Sequence, residues 1–165
     1  MAYELIETIE VGAGGAASIE FTSIPQDGVD LLLLVSARAD SSTTFQSNIT
    51  INSDTTSANY PRVRLQGTGS SVSSGSFANA GFGNMEPSTF TANTFANDSV
   101  YFSNYTSSSA KSISGDGVTE NNASSSYQNI QAVSYSGTSA ITSLTITANS
   151  GDIVQYSTAS LYKIY

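Results

Sequence analysis

The stretch that decides the fold is "FTSIPQDGVDLLLLVSARAD", from Phe21 to Asp40, in which four leucines and a valine run together. Such a run could belong to a membrane span, a helix or a buried strand. It is far shorter than the roughly 18 apolar residues that a membrane span needs. It is also bounded by turn signals and leads into the alternating "VSAR" that begins at Val35. The length and the borders predict a central β-strand from Leu31 to Ala39 that is covered on both faces, by the core or by a partner.

Period-two alternation and short β-branched or aromatic runs recur along the chain, and clusters of Gly, Asn, Asp and Ser separate them. One such cluster is "PQDG" at Pro25–Gly28, where proline presets φ and Asp-Gly tolerates positive φ. Helical spacing is almost missing. Besides the leucine run, the main predicted strands are 3–11, 17–24, 45–52, 60–66, 99–105, 127–135, 141–148 and 153–165.

About ten short strands with almost no helix predict an all-β chain, an antiparallel β-sandwich of jelly-roll-like form. A chain of 165 residues is expected to form one domain over residues 1–165. Residues from about 67 to 95 are the least regular and begin with the Gly/Ser-rich "GTGSSVSSGS". We therefore expect an irregular, loop-rich insert there, either functional or simply an exposed loop.

The first predicted strand places Tyr3, Leu5, Ile9 and Val11 on one face by alternation. Two residues break the pattern, since Glu7 falls on the apolar face and the preceding isoleucine on the polar one. A strand with such a mixed pattern is typical of the edge of a sheet.

The segment "AKSISGDGVTE" is predicted to be a short strand followed by a turn at Gly115–Gly117. Asp116 in this turn, with Glu120 close behind, suggests an oxygen-ligand loop for Ca²⁺ as an alternative. An EF-hand loop needs carboxylates at alternating positions over twelve residues, and that spacing is missing. An ordinary turn is the favoured interpretation, and no cofactor or metal is expected.

Composition excludes several classes of function. The net charge is −8 and the five basic residues are scattered, so nucleic-acid binding is not expected. Cysteine and histidine are absent, which rules out a disulfide framework and a Ser-His-Asp triad. No carboxylate pair is fixed at a glycosidase spacing, so we expect no enzyme. The N-terminus lacks the features of a signal peptide and no run could span a membrane, which predicts synthesis in the cytoplasm without membrane partners.

Four tyrosines near Ser- and Asn-rich segments are candidates for stacking on sugars: Tyr60, Tyr101, Tyr105 and Tyr127. The alternative is that these rings pack in the sandwich with their hydroxyls at its margin, which half-buried strand positions also favour.

Three segments, "SIEFTSIPQ" (Ser18–Gln26), "DLLLLVSARAD" (Asp30–Asp40) and "VQYSTASLY" (Val154–Tyr162), resemble small β-rich virion proteins of marine and cyanobacterial tailed phages. The similarity extends to "YFSNYTSSSAKSIS" (Tyr101–Ser114) and "TENNAS" (Thr119–Ser124), so it covers most of the chain. These motifs are structural and carry no catalytic signature.

The resemblance implies a capsid decoration or cement protein, a homotrimer that binds the major capsid protein on the outer surface of the phage head. Terminal strands can bind a shell or a neighbouring subunit by edge pairing. The candidate assembly contacts are therefore in these strands: Tyr3, Leu5, Ile9, Ile164 and Tyr165. The resemblance leaves open a second role, as a tail-fibre or head-fibre tip that binds host-surface polysaccharide.

Overall fold

Twelve β-strands and one 3₁₀ turn (Ser57–Asn59) form the part of the chain that the computed structural model describes, which is residues 2–42, 46–121 and 125–165. Phe45, the predicted start of one strand, lies outside these residues. The strands are β1 (Tyr3–Glu10), β2 (Ser18–Phe21), β3 (Asp30–Ala37), β4 (Gln46–Ile51), β5 (Pro61–Gly67), β6 (Val72–Ala78), β7 (Gly83–Asn84), β8 (Ala96–Phe102), β9 (Lys111–Asn121), β10 (Ser125–Tyr135), β11 (Leu144–Ala148) and β12 (Thr158–Ile164).

The strands form two antiparallel sheets. The larger has eight strands in the order β1-β12-β3-β8-β9-β10-β5-β6, and the smaller has four in the order β2-β11-β4-β7. The predicted antiparallel β-sandwich is confirmed, with about twelve strands instead of ten. The terminal strand β12 lies between β1 and β3, so β1 and β6 are the edges of the large sheet.

The leucine run forms β3, between β12 and β8. Alternation turns Leu31, Leu33 and Val35 inward, where they are buried in one core cluster with residues of the small sheet. Leu32 is half-buried on the opposite face, and Leu34 is 39% exposed there. The prediction of a central strand is confirmed. The small sheet covers one of its faces, and the described chain does not cover the other, which stays predicted to lie under a partner.

A β-bulge divides the first strand. The register of β1 against β12 shifts between Leu5 and Glu7, so one extra residue enters β1 at this point. Tyr3 and Leu5 therefore lie on the outer face of the large sheet, whereas Ile9 turns inward and is half-buried against the core. The prediction that these three side chains share one face is wrong, and the bulge is the reason.

The predicted turn at Gly115–Gly117 is also wrong, because both glycines lie inside the continuous strand β9. Gly117 pairs with Asp98 on β8 and faces inward. A Cβ atom at Gly117 would overlap the side chains of Asp98 and Asn84. The glycine thus makes room for buried polar groups, which is a known reason for glycine within a strand.

The predicted loop-rich insert contains β6 and β7, and its last part is a loop that Arg38 holds in place. Nη1 of Arg38 donates to the carbonyls of Thr91 (2.7 Å) and Thr94 (3.1 Å), and Nη2 to those of Ser88 (3.0 Å) and Phe90 (3.2 Å). Four charge-assisted hydrogen bonds from one buried guanidinium fix the loop from residue 88 to 94 against the end of β3.

Candidate assembly face

The outer face of the eight-stranded sheet is the side turned away from the small sheet, and no second layer of the described chain covers it. Large apolar side chains are exposed on it at two places. We call the first the edge patch, and its residues are Val63, Leu65, Val72, Val118 and Ile130. We call the second the terminal patch, and its residues are Tyr3, Leu5, Leu32, Leu34, Tyr101 and Tyr162.

Register brings the edge patch together. Leu65 on β5 pairs with Ile130 on β10, and Val63 pairs with Ala132 one step along the same strands. Directly paired positions bring Cβ atoms to roughly 5 Å of one another, so these side chains form one apolar surface. Together with serines of β6 and β9 they line a groove of about 690 Å³. Alternation along each strand predicts which side chains share a face. It does not predict that β5 pairs with β10, and that pairing brings these side chains together.

Side-chain contacts on the inner face of the large sheet hold together the strands that carry the edge patch. The guanidinium of Arg62 lies 4.4 Å from the centroid of the Phe77 ring and that of Arg64 lies 5.0 Å from it. Arg62 also donates through Nε to Asn79 (3.0 Å) and through Nη1 to Gln131. Desolvation lowers the pKa of Arg62 to about 10, so the group stays charged at neutral pH. These contacts tie β6 to β5 and β10, the strands that carry most of the patch.

The terminal patch contains two of the predicted assembly contacts. Tyr3 and Leu5 are about half exposed on the edge strand β1. Ile164 pairs with Tyr3 and is 1% exposed, so its side chain is not on the surface of the described chain. Ile9 turns to the core beyond the bulge and is likewise not a surface contact.

Tyr165, the remaining predicted assembly contact, belongs to a polar cluster at this corner. Its hydroxyl donates to Glu4 Oε2 (2.7 Å), and Lys163 Nζ lies 2.9 Å from Asp27 Oδ2 and 3.3 Å from Glu4 Oε1. The hydrogen bond from Tyr165, followed by that from Lys163, lowers the pKa of Glu4. Lys163 lowers the pKa of Asp27 in the same way, and its own pKa is raised by hydrogen bonds to Tyr165 and Asp27. The cluster joins both ends of the chain.

Two of the four candidate sugar-stacking tyrosines are in the core, where the alternative interpretation placed them. Tyr60 is buried, donates to the carbonyl of Asp54 (2.8 Å) and accepts from the Ile51 amide (3.0 Å). Tyr105 is also buried, and its hydroxyl donates to the carbonyl of Pro25. Neither ring can present a face to a ligand.

The other two tyrosines are half-buried and lie apart. Tyr101 is on the outer face of β8, and its hydroxyl donates to Asp30 Oδ2. Tyr127 is on β10 and stacks on Phe90 with ring centroids 6.0 Å apart. The structure therefore does not bring the four predicted residues into one site.

Buried polar side chains lie beneath the large sheet, and the sequence pattern did not predict them. Asp98 accepts hydrogen bonds from the backbone amide and the side-chain amide of Asn84, whose Oδ1 accepts from Asn129. Desolvation outweighs these bonds and raises the pKa of Asp98 to about 7. Burial and the neighbouring Glu120 raise the pKa of Glu86 to about 7 as well. The inward-facing glycines of β9 are the sequence feature that could have indicated these buried polar groups, but their local sequence is typical of a turn.

No protein-family model, no curated protein and no solved structure matches this chain. The similarity to phage virion proteins drawn from the sequence thus stays a prediction. Within the described residues, no helix has the length and apolar character to cross a membrane. Nor does the described part of the chain hold a cluster of three or more acidic, His or Cys side chains placed to bind a metal.

Proposed function

We propose that this chain is a non-enzymatic structural subunit that assembles with copies of itself through the edge patch. The observation that carries the proposal is the pairing of Leu65 with Ile130 on an uncovered sheet face, with three further aliphatic side chains around them. A clustered apolar surface of this kind marks an interaction site, whereas scattered apolar residues do not.

The size of the patch supports association. Its five side chains are from 43% to 78% exposed. They present roughly 400 Å² of apolar surface, which is within the range of functional patches. Burying that area on each of two copies contributes about 20 kcal/mol at ~25 cal/mol per Å². Association costs roughly 4–15 kcal/mol, so this burial is large enough to offset that cost, while the affinity depends on how well the surfaces fit.

The assembly that fits the sequence best is a homotrimer that decorates or cements the capsid shell of a tailed phage, bound to the major capsid protein on the outside of the head. Its support is the similarity of "DLLLLVSARAD" (Asp30–Asp40) and the other quoted segments to such proteins. The net charge of −8 further suits a protein that should not bind DNA. The terminal patch, on the edge strand β1, supplies a second surface for the shell.

The alternative, a fibre tip that binds host polysaccharide through four tyrosines, loses its main support. Tyr60 and Tyr105 are buried, and the half-buried Tyr101 and Tyr127 already have partners in the fold. We do not propose a sugar site at these residues.

Mass spectrometry and cryo-EM of the phage particle that carries this gene test the capsid assignment. We expect the chain in purified heads and matching density on the outside of the shell, in groups of three. Purified heads that lack the chain, or density confined to a tail fibre, would show that the capsid assignment is wrong. The self-assembly part is tested separately with variants of the edge patch.

A further inference from the structure

We infer that Tyr156, Phe95, Gln155 and Asn93 form a binding site for a neutral sugar, located where β3 ends and β12 begins. The site is separate from the edge patch and goes beyond the proposed assembly function. Two observations support the site. Tyr156 is exposed and has a backbone conformation that tyrosine rarely adopts, and a cavity of ligand size lies beside its ring.

The backbone at Tyr156 is unusual for an aromatic residue. Its φ is +70°, a region that bulky residues rarely occupy. The Ser157 amide donates to the Val154 carbonyl (3.2 Å), which closes a four-residue turn with Tyr156 at its third position. Glycine or asparagine is preferred there when φ is positive. The side chain is 64% exposed, so its packing does little to offset the backbone strain. A role outside folding accounts for tyrosine at this position.

A cavity of about 420 Å³ lies beside this ring. It is lined by Tyr156, Phe95, Val154, Gln155, Asn93 and Arg38. Binding sites for small ligands commonly measure 300–1,000 Å³ and combine apolar walls with a few polar groups. Asn93, across the cavity, has a positive φ of 63° as well. Asparagine adopts this region readily, so Tyr156 is the residue of this cavity whose backbone conformation is unfavourable, and such strain clusters at functional sites.

The polar groups of the cavity favour an uncharged ligand. Arg38 is the cation among the lining residues, and its two terminal nitrogens donate to four backbone carbonyls. It is therefore poorly placed to bind a phosphate or a carboxylate, and the net charge of −8 repels anions. Among described residues, the side-chain amides of Asn93 and Gln155 have no hydrogen-bond partner. Each amide can both donate and accept.

A sugar ring matches this combination. Its apolar C–H face can stack on Tyr156 and Phe95, and its hydroxyls can exchange hydrogen bonds with Asn93 and Gln155. A protein partner is the competing occupant, and binding to a protein of the same particle is therefore one outcome of the test.

The test titrates the full chain with the neutral hexasaccharides of cellulose, mannan, starch and chitin, and with an anionic hexagalacturonate. Binding is measured by calorimetry and by saturation-transfer NMR. We expect at least one neutral hexasaccharide to bind and hexagalacturonate not to bind. Tyr156→Gly should weaken binding at least tenfold while the melting temperature stays the same or rises, because glycine accepts φ of +70°.

Two further variants keep the result interpretable. Gln155→Ala should weaken binding without touching the strained residue, and Tyr165→Ala, which removes an exposed tyrosine elsewhere, should leave binding unchanged. The inference is overturned if no neutral hexasaccharide binds at millimolar concentration, if hexagalacturonate binds best, or if Tyr156→Gly binds within twofold of the wild type. It is also overturned if Tyr156→Gly instead abolishes binding to a protein of the same particle.

Discussion

Leu65 on β5 lies directly opposite Ile130 on β10, and both side chains project from the uncovered face of the eight-stranded sheet. In a two-layer sandwich only the inner face of each sheet is covered, and the outer face usually carries polar side chains. Here the small sheet has only four strands and covers one side of the large one. The outer face thus has apolar side chains with no layer of the described residues above them.

The stability of the fold should fall as pH rises from about 5 to 8. Burial raises the pKa of Asp98 and of Glu86 to about 7, whereas an unfolded carboxyl titrates near pH ~4. Between these values the folded state binds more protons, so ionisation destabilises it by an amount on the order of a few kcal/mol. Thermal melting at closely spaced pH values measures this effect.

Asp98→Asn is the matched variant, and it should flatten the dependence of melting temperature on pH. Glu10→Gln, at an exposed position on the edge strand β1, is the control and should keep the wild-type slope. A melting temperature that increases from pH 5 to 8, or an unchanged slope in Asp98→Asn, would contradict the assignment.

Below about pH 4 the sign reverses. Hydrogen bonds from Tyr165, Lys163 and Asn59 lower the pKa values of Glu4, Asp27 and Asp54, respectively. The stability that these carboxylates contribute is lost as pH falls through their folded pKa values. The same melting series should therefore show a maximum near pH ~5, and a protein that is most stable at pH 8 or above would not fit.

Gly117→Ala should destabilise the fold by about 3 kcal/mol, since the added Cβ overlaps the buried side chains of Asp98 and Asn84. Gly67→Ala is the matched control in a strand of the same sheet, because nothing lies within 4 Å of a Cβ there. We expect that control to be neutral or slightly stabilising. Urea unfolding compares the two variants, and equal stabilities would show that Gly117 is not needed for space.

Arg38→Lys should loosen the loop from residue 88 to 94. Lysine keeps the charge but cannot donate from two planar nitrogens to four carbonyls. We expect amide hydrogen exchange in this loop to increase at least tenfold and the free energy of unfolding to fall by roughly 2 kcal/mol. Arg64→Lys, which changes a guanidinium beside Phe77, should leave exchange in the loop unchanged. Loop exchange at the wild-type rate in Arg38→Lys would argue against this role.

The local sequence pattern predicts where most strands lie, but it does not predict which of their faces are buried. The length and flanking turns of the leucine run predict a central strand, and it is one. Which of its faces packs against the small sheet depends on the arrangement of strands far apart in the sequence, which no local window contains. Ile6 and Glu7 break the alternation of the first strand, and in the structure they mark the bulge. A break in period two is therefore better interpreted as a register shift than as a weak strand.

The burial of tyrosine could not be predicted from its local sequence. Tyr60 and Tyr101 both follow polar segments, yet Tyr60 enters the core and Tyr101 lies on the outer face. The difference comes from strand pairing across distant parts of the chain. The role of a glycine is equally hard to predict from its local sequence. Gly117 makes room for the side chain of Asp98, which is nineteen positions earlier and pairs with it across the sheet.

The central claim, self-assembly through the edge patch, is tested most directly by sedimentation equilibrium of the wild type and the Leu65→Ser/Ile130→Ser double variant. The account predicts that the wild type is a trimer at micromolar concentration. The double variant should be a monomer with a similar melting temperature, because both side chains are about half exposed. Val29→Ser, an exposed apolar residue outside the patch, should remain trimeric. A wild type that stays monomeric at high micromolar concentration, or a double variant that assembles like the wild type, would contradict it.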